Sequence, residues 1–358
     1  LRGVQPLLWR PREIVRGADS GAACRLLKEP AMEIVSFNRR EPQPDVHGSL
    51  TKLLELVELC ELEAALSGLP ELYAARMARD FDAFVHLFDQ VVRTLPNHDA
   101  LSLGMHVQQR LLPLLARTAN GHRWYSKPRG YAGDFLTIAR IYDDRAEGSG
   151  VVGELIDRCM LGVPAARAVQ NRRSLVADEI RADVMRIGGT TRIASLACGP
   201  ARELFDLAGA LPHLVVATLV DLDGDALAYC ANQKIRDAEI LLVRANLVHV
   251  GLGRQPLALR DQDLIYSIGL FDYLGDAMVV KLLDVIHAAL RPGGRTIVGN
   301  FHVRNATKAF MDHVLDWRLV HRTEADMRRL FEASAFGRCT RISYEPLRIN
   351  MFAEGVKA

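Results

Sequence analysis

The residues best placed to do chemistry in this 358-residue chain are an acid and a turn. Asp221 closes one apolar run, residues 214–220, and the turn Cys198-Gly199-Pro200 follows another, residues 193–197. Acid and turn lie about twenty residues apart, the spacing at which a carboxylate at one strand tip accepts hydrogen bonds from a ribose held at the preceding strand's turn. Leu222 and Asp223 extend the same tip. Asn246 and Leu247 come shortly after a third apolar run, residues 240–243, where an amide can meet the edge of an adenine and an apolar side chain its face. A fourth run, residues 263–268, contains Ser267 and leads into Gly269, Leu270, Phe271, Asp272 and Tyr273. Ligands of open parallel sheets sit beyond the carboxyl ends of the strands, so this stretch should face the reacting end of whatever is bound.

The turn says which nucleoside compound to expect. A dinucleotide site needs Gly-x-Gly-x-x-Gly, because a pyrophosphate requires close backbone approach at a helix N-terminus. This chain has Ala-Cys-Gly-Pro-Ala-Arg-Glu, with one glycine, and Glu203 in the first turn of the following helix. That charge suits the helix dipole and repels a diphosphate. A cofactor carrying a sulfonium and an ammonium and no phosphate fits, which makes S-adenosylmethionine the expected cofactor.

Further candidates lie outside these runs. Residues 122–145, HRWYSKPRGYAGDFLTIARIYDDR, crowd aromatic and charged groups around Gly130 and Gly133 and read as a loop ahead of a helix at 135–142. Between the two glycines Tyr131 can be presented to a cavity, to hydrogen-bond a carboxylate or stack on a cation. Asp134 either caps the helix or meets a ligand. Arg172 and Arg173 fall in a helix over 165–187, and one of them can reach a carboxylate bidentately. His302 follows a fifth apolar run, 296–301, and is expected in the cavity, whereas Asp316 and Arg322 are expected to pair with each other.

The elements that would position these groups follow from periodicity. Short apolar strands alternate with helices from about residue 190, with a helix at 202–210, a turn at 290–295 and an antiparallel pair at 341–344 and 349–353 closing the sheet. Residues 50–119 carry helical faces, such as Leu53, Leu56, Val57 and Cys60, and little obvious chemistry. The expected division is a flexible arm over 1–45, a helical cap over 46–188 and a Rossmann-like domain over 189–358. The chain opens on Leu1, and Met32 is an alternative initiator. Hydrophobic content of 49%, charged content of 25% and a net charge of +2 describe a globular chain and give no reason to invoke nucleic acid or an anionic membrane. No apolar run is long enough for stable membrane insertion. Six scattered cysteines without paired spacing point to reduced thiols in the cytoplasm and to no metal site.

Residues 190–358 resemble a class I S-adenosylmethionine-dependent methyltransferase. More narrowly, residues 120–358 resemble the extracellular-factor (3-hydroxypalmitic acid methyl ester) biosynthesis methyltransferases, through KPRGYAGDF at 127–135, NRR at 171–173, SLACGPARE at 195–203, DLIYSIGLFDYL at 263–274, LRPGG at 290–294 and the stretch 299–327. The resemblance implies a mostly parallel seven-stranded sheet under an all-helical cap. It implies a cofactor held by Arg172, Cys198, Gly199, Pro200, Asp221, Leu222, Asp223, Asn246, Leu247, Ser267, Gly269 and Leu270, with the substrate between the cap and residues 299–317. It also implies a hydroxy fatty acid methylated on its carboxylate, a nucleophile already ionised at neutral pH that needs orientation rather than a base. Tyr131 and Tyr273 suit that orienting task, and His302 or Asp272 would serve as base for a hydroxyl or amine. Two alternatives stay open. One is intramolecular displacement in S-adenosylmethionine, giving azetidine-2-carboxylate and methylthioadenosine. The other is a non-catalytic module that binds the cofactor or docks a partner. The expected partner is a small molecule, with a homodimer through the helical half.

Overall fold

The computed structural model describes residues 45–66, 71–207, 209–233 and 238–358. The arm expected over 1–45 falls, apart from Asp45, outside the described residues. Seven helices come first: α1 (Val46–Leu66), α2 (Glu71–Thr94), α3 (Asn97–Leu115), α4 (Ala119–Ser126), α5 (Phe135–Asp143), α6 (Gly150–Gly162) and α7 (Pro164–Ile187). The apolar face read on α1 is buried at Leu53, Leu56, Val57 and Cys60. Residues 122–126, expected in a loop, instead form the last turns of α4, whose N-cap Thr118 accepts a hydrogen bond from the His122 N–H. Their aromatic and charged character reflects a helix with one buried face, Trp124 included, rather than an irregular segment.

The second half winds a seven-stranded sheet. Its strands are β1 (Thr191–Leu196), β2 (Val215–Asp221), β3 (Ala238–Arg244), β4 (Gln262–Ser267), β5 (Leu290–Phe301), β6 (Arg341–Tyr344) and β7 (Asn350–Val356), in the order β3-β2-β1-β4-β5-β7-β6. The first five pair in parallel, and β7 runs antiparallel between β5 and β6. The chain steps outward from β1 to β2 and β3, then returns to the other side of β1 with β4. That reversal opens a crevice beyond the carboxyl ends of β1 and β4, where ligands bind in such sheets. Between the strands lie α8 (Arg202–Phe205), α9 (Gly224–Ala231), α10 (Leu247–Gly251), α11 (Asp276–Ala289) and α12 (Glu324–Glu332).

Two expectations about these elements are corrected. The helix expected over 202–210 is the four-residue α8, because the chain turns through Leu207 and the left-handed Gly209, φ 73°. The turn expected at 290–295 is part of β5, with a register shift against Gln262 and Leu264 that accommodates Pro292 and the left-handed Gly293.

Apolar side chains gather in three clusters. One face of the sheet packs on α10, α11 and α12, the other on α8, α9 and the second half of α7. The third cluster joins α1–α6 and the first half of α7 to residues 301–319, which leave β5 and enter the helical layer. Helix α7 therefore belongs to two cores. Ala165, Ala166, Ala168 and Val169 lie in the helical one, and Val176, Ala177, Ile180 and Val184 in the sheet one. Arg172 falls at the junction, over the crevice.

Candidate active site

The elbow after β1 is tighter than its single glycine suggests. Ala197 (φ 53°), Gly199 (φ 52°) and Ala201 (φ 47°) all take left-handed angles, a conformation unfavourable for alanine that persists where the surroundings over-determine it. Two hydrogen bonds do so. The Cys198 N–H donates to the Val220 carbonyl at 3.0 Å, and the Gly199 N–H to Asp221 Oδ2 at 2.9 Å. The other Asp221 oxygen accepts from the Asp223 N–H at 2.9 Å. Burial raises the Asp221 carboxyl above its ordinary range, and these N–H donors work against that rise.

Beyond the elbow lies a cavity of about 300 Å³, at the lower end of the roughly 300–1000 Å³ typical of drug-sized ligand sites. Of the residues expected to hold a cofactor, Arg172, Cys198, Gly199, Pro200, Asp221, Leu222, Asn246, Leu247, Gly269 and Leu270 line it. Asn246 is also the N-cap of α10. Its Oδ1 accepts from the Val248 and His249 N–H groups.

Two of the expected cofactor residues are placed otherwise. Ser267 lies outside the cavity lining and donates its hydroxyl to the Leu196 carbonyl at 2.8 Å, tying β4 to β1. Asp223 caps α9 and accepts a forked pair from Arg129 at 2.8 Å for each bond. Burial raises the Asp223 carboxyl, but Arg129 and the helix N–H groups outweigh it and hold it below its ordinary range.

The deep end holds a charged cluster. Arg172 is 4% exposed; its Nη1 donates to the Ile268 carbonyl at 2.8 Å and its Nε to the Tyr142 hydroxyl at 3.4 Å. Both partners are neutral oxygens, so the guanidinium keeps its full charge and spare donors for an anion. Glu203 lies buried in the lining, accepts from the Tyr266 hydroxyl at 3.0 Å, and is raised by burial. Asp272 is buried and accepts from the Phe301 N–H at 2.6 Å. Burial pushes its pKa up to about 6, with the Phe301 N–H, Arg172 and Arg322 pulling the other way. The cluster can complement a zwitterionic amino acid, Arg172 offering donors to a carboxylate and Glu203 and Asp272 offering acceptors to an ammonium.

The remaining wall is apolar and comes from the helical layer. Trp124, Ile138, Ile141, Val169, Met311 and Leu315 are among the side chains that line it. Tyr273, from the turn after β4, closes one side by donating to the Ala132 carbonyl at 3.0 Å and accepting from Trp317 Nε1 at 2.9 Å. Tyr131 also lines the cavity, with its hydroxyl 3.5 Å from Asp223 Oδ2.

His302, expected in the cavity, is not part of its lining. The ring packs edge-on against Tyr344 at 5.8 Å, and its Nδ1 accepts from the Arg304 N–H. The chain bends away from the crevice at this point, pinned by the His302 N–H to the Ile349 carbonyl. Asp316 and Arg322 do not pair. Arg322 is buried against Asp276, Asn300 and the Phe271 and Leu274 carbonyls, while Asp316 meets Lys127 and Arg318 at the surface. Asp134 is a cap: it accepts from the Leu136 and Thr137 N–H groups and from Arg123.

The sheet and helices form a Rossmann-like methyltransferase fold with a cavity at the β1–β4 crevice. Residues 193–294 match the family model described as a methyltransferase domain. The protein is an S-adenosylmethionine-dependent transferase, with S-adenosylmethionine as its cofactor. No curated protein matches the chain. Among solved structures it is similar to a possible exported protein from Bordetella parapertussis, with 17% identity over 79% of this chain and 96% of that one and a TM-score of 0.54, a likeness of fold. It is also similar to the S-adenosylmethionine-dependent methyltransferase SibL, at 17% identity over 88% and 95% of the two chains with a TM-score of 0.43. A third is magnesium protoporphyrin IX methyltransferase from Synechocystis PCC 6803, at 13% identity over 55% and 87% with a TM-score of 0.39.

Proposed function

We propose that the protein transfers a methyl group to the carboxylate of a small apolar acceptor such as a hydroxy fatty acid, with helices 46–188 acting as a cap on the cofactor domain 189–358. The observation that carries this reading is the apolar chamber between α4, α5, α7 and residues 301–319, continuous with the charged cluster at the strand ends. In this reading adenosine lies against Asp221, Leu222, Asn246 and Leu247, and the methionine end against Arg172 and Glu203. The sulfonium then points towards the chamber. In-line displacement needs the acceptor oxygen, the methyl carbon and the sulfur held in line with water excluded, which an apolar pocket does by shape.

The chain's own groups divide the work. Arg172 holds an anion without neutralising a nucleophile, Tyr273 keeps the wall closed, and Asp272 is a titratable group of the lining able to take a proton. A carboxylate needs no such base, so Asp272 serves there to balance the charge of Arg172. The test is incubation with methyl-labelled S-adenosylmethionine and a panel of fatty and hydroxy fatty acids. Label should enter the organic extract as a base-labile ester; label appearing in no ester sinks the reading.

The modest cavity volume also supports the second reading, in which the cofactor alone fills the site and cyclises to azetidine-2-carboxylate. It requires methylthioadenosine to form without any acceptor.

A further inference from the structure

The chamber wall at Met311 and Leu315 belongs to an unusual turn. Residues Phe310–Val314 wind wider than an α-helix, and the Leu315 N–H reaches the Phe310 carbonyl five residues back, at 3.2 Å. Such turns are rare and recur at functional sites. Met311 and Leu315 line the chamber, whereas Phe310 and His313 meet Phe81 and Phe88 of α2 edge-on, at 5.8 and 6.2 Å between centroids. Four contacts from α2 and α3 fix this stretch. Asp89 of α2 is buried and accepts from the Ala309 N–H at 3.1 Å; Arg93, paired with Asp89, donates to the Asn305 carbonyl at 3.0 Å. Gln108 of α3 donates its Nε2 to the Val314 carbonyl at 3.0 Å, just before the chain turns through the left-handed Asp316. Gly104 of α3 is where the helix comes closest: a Cβ there would lie 2.6 Å from His313 Nδ1 and 2.7 Å from its Cβ, an overlap that ring rotation alone cannot relieve.

We infer, on the reading that the acceptor fills the chamber, that Gly104 and Gln108 are positioning residues: through the turn at 310–314, helix α3 sets the depth of the chamber and so the length of apolar chain it admits. Neither residue lines the chamber. Gly104 lets α3 sit close enough for Met311 and Leu315 to stand back from the cavity, and Gln108 ties down the turn's last carbonyl. Close-packed side chains transmit such a displacement instead of absorbing it. Both helices and the turn lie outside residues 193–294, the part matched as a methyltransferase domain, so this assigns work to a region that the domain match does not cover.

The experiment measures binding, so that it reads independently of methyl transfer. Straight-chain 1-alkanols of increasing length, which fill apolar space without a carboxylate, are titrated by calorimetry into the protein saturated with S-adenosylhomocysteine. In the parent each added carbon should tighten binding about threefold to fourfold, up to a length at which the gain stops. Gly104→Ala should push the turn into the chamber and bring that limit about two carbons sooner. Gln108→Leu should move the limit to longer chains by releasing the Val314 carbonyl, and carries the test if the first variant does not fold. S-adenosylhomocysteine affinity should match the parent in both. An unmoved limit, a loss of S-adenosylhomocysteine affinity in step with alkanol affinity, or no alkanol binding by the parent overturns the inference. A limit that moves as described while no fatty acid is methylated upholds it and refutes carboxylate methylation.

Discussion

Arg172 Nη1 donates to the Ile268 carbonyl across 2.8 Å, a bond between helix α7 and the end of the strand beside which the sheet reverses. It places a buried guanidinium at the one point where the helical core, the sheet core and the crevice meet. A charge so situated is costly unless an anion completes it.

Arg172→Met should therefore weaken S-adenosylhomocysteine binding by about 10- to 100-fold, the worth of a charge-assisted hydrogen bond. Methylthioadenosine, which lacks the carboxylate, should bind the variant and the parent alike. Equal losses for both ligands would assign Arg172 to architecture rather than to the cofactor's carboxylate.

Asp272 predicts a pH signature. Its folded-state pKa of about 6 lies above the ordinary aspartate value, so the folded state holds this proton more tightly than the unfolded chain. The contribution is present below about pH 4 and is lost as pH rises through about 6, by at most roughly 3 kcal/mol. Denaturant titrations should show the stability gap between Asp272→Asn and the parent shifting in the variant's favour across that window. The same variant separates acceptor classes. With a carboxylate acceptor kcat should fall less than about fivefold, whereas loss of a required general base costs about 10²–10⁴.

Ala166 lines the chamber from the first turn of α7. Ala166→Phe should fill that space and cut kcat/KM for a long acyl acceptor by about tenfold or more, while cofactor affinity holds, since its effect is steric exclusion rather than lost charge. Unchanged turnover of long acceptors would place them elsewhere.

Arg129 joins the loop over the cavity to the β2–α9 corner through Asp223 and Asp225, and its guanidinium lies over the Phe135 ring at 5.1 Å. Arg129→Ala should speed S-adenosylhomocysteine dissociation by about 3- to 10-fold, as expected for loss of a forked, half-buried pair. Stopped-flow displacement measures it, and an unchanged off-rate would remove the loop from the cofactor's exit.

Much of the cofactor half was legible because it is local. An apolar run, a one-glycine turn and an acid at the next strand tip lie within thirty residues of one another, so spacing alone places Asp221 opposite Gly199. What was not legible depends on distance along the chain. Asp223 looks like Asp221 in sequence, and only Arg129, 94 residues away, shows that it is held as a cap and ion pair. His302 follows a strand as site residues do, but the chain bends there and carries it behind the crevice. Trp124 lines the cavity without having been singled out, its local sequence carrying no signal beyond a helix face, whereas Glu203 was read as a charge at the helix N-terminus and is found buried in the lining. Glycine counting did not show how tight the elbow is, because two alanines there take left-handed angles as well.

The nucleoside product tests the central claim most directly. With S-adenosylmethionine and a hydroxy fatty acid the enzyme should release S-adenosylhomocysteine in step with ester, and with the cofactor alone it should release almost none. Methylthioadenosine accumulating from the cofactor alone, with no S-adenosylhomocysteine when the acid is added, would contradict methyl transfer and make the chamber a shield for cyclisation.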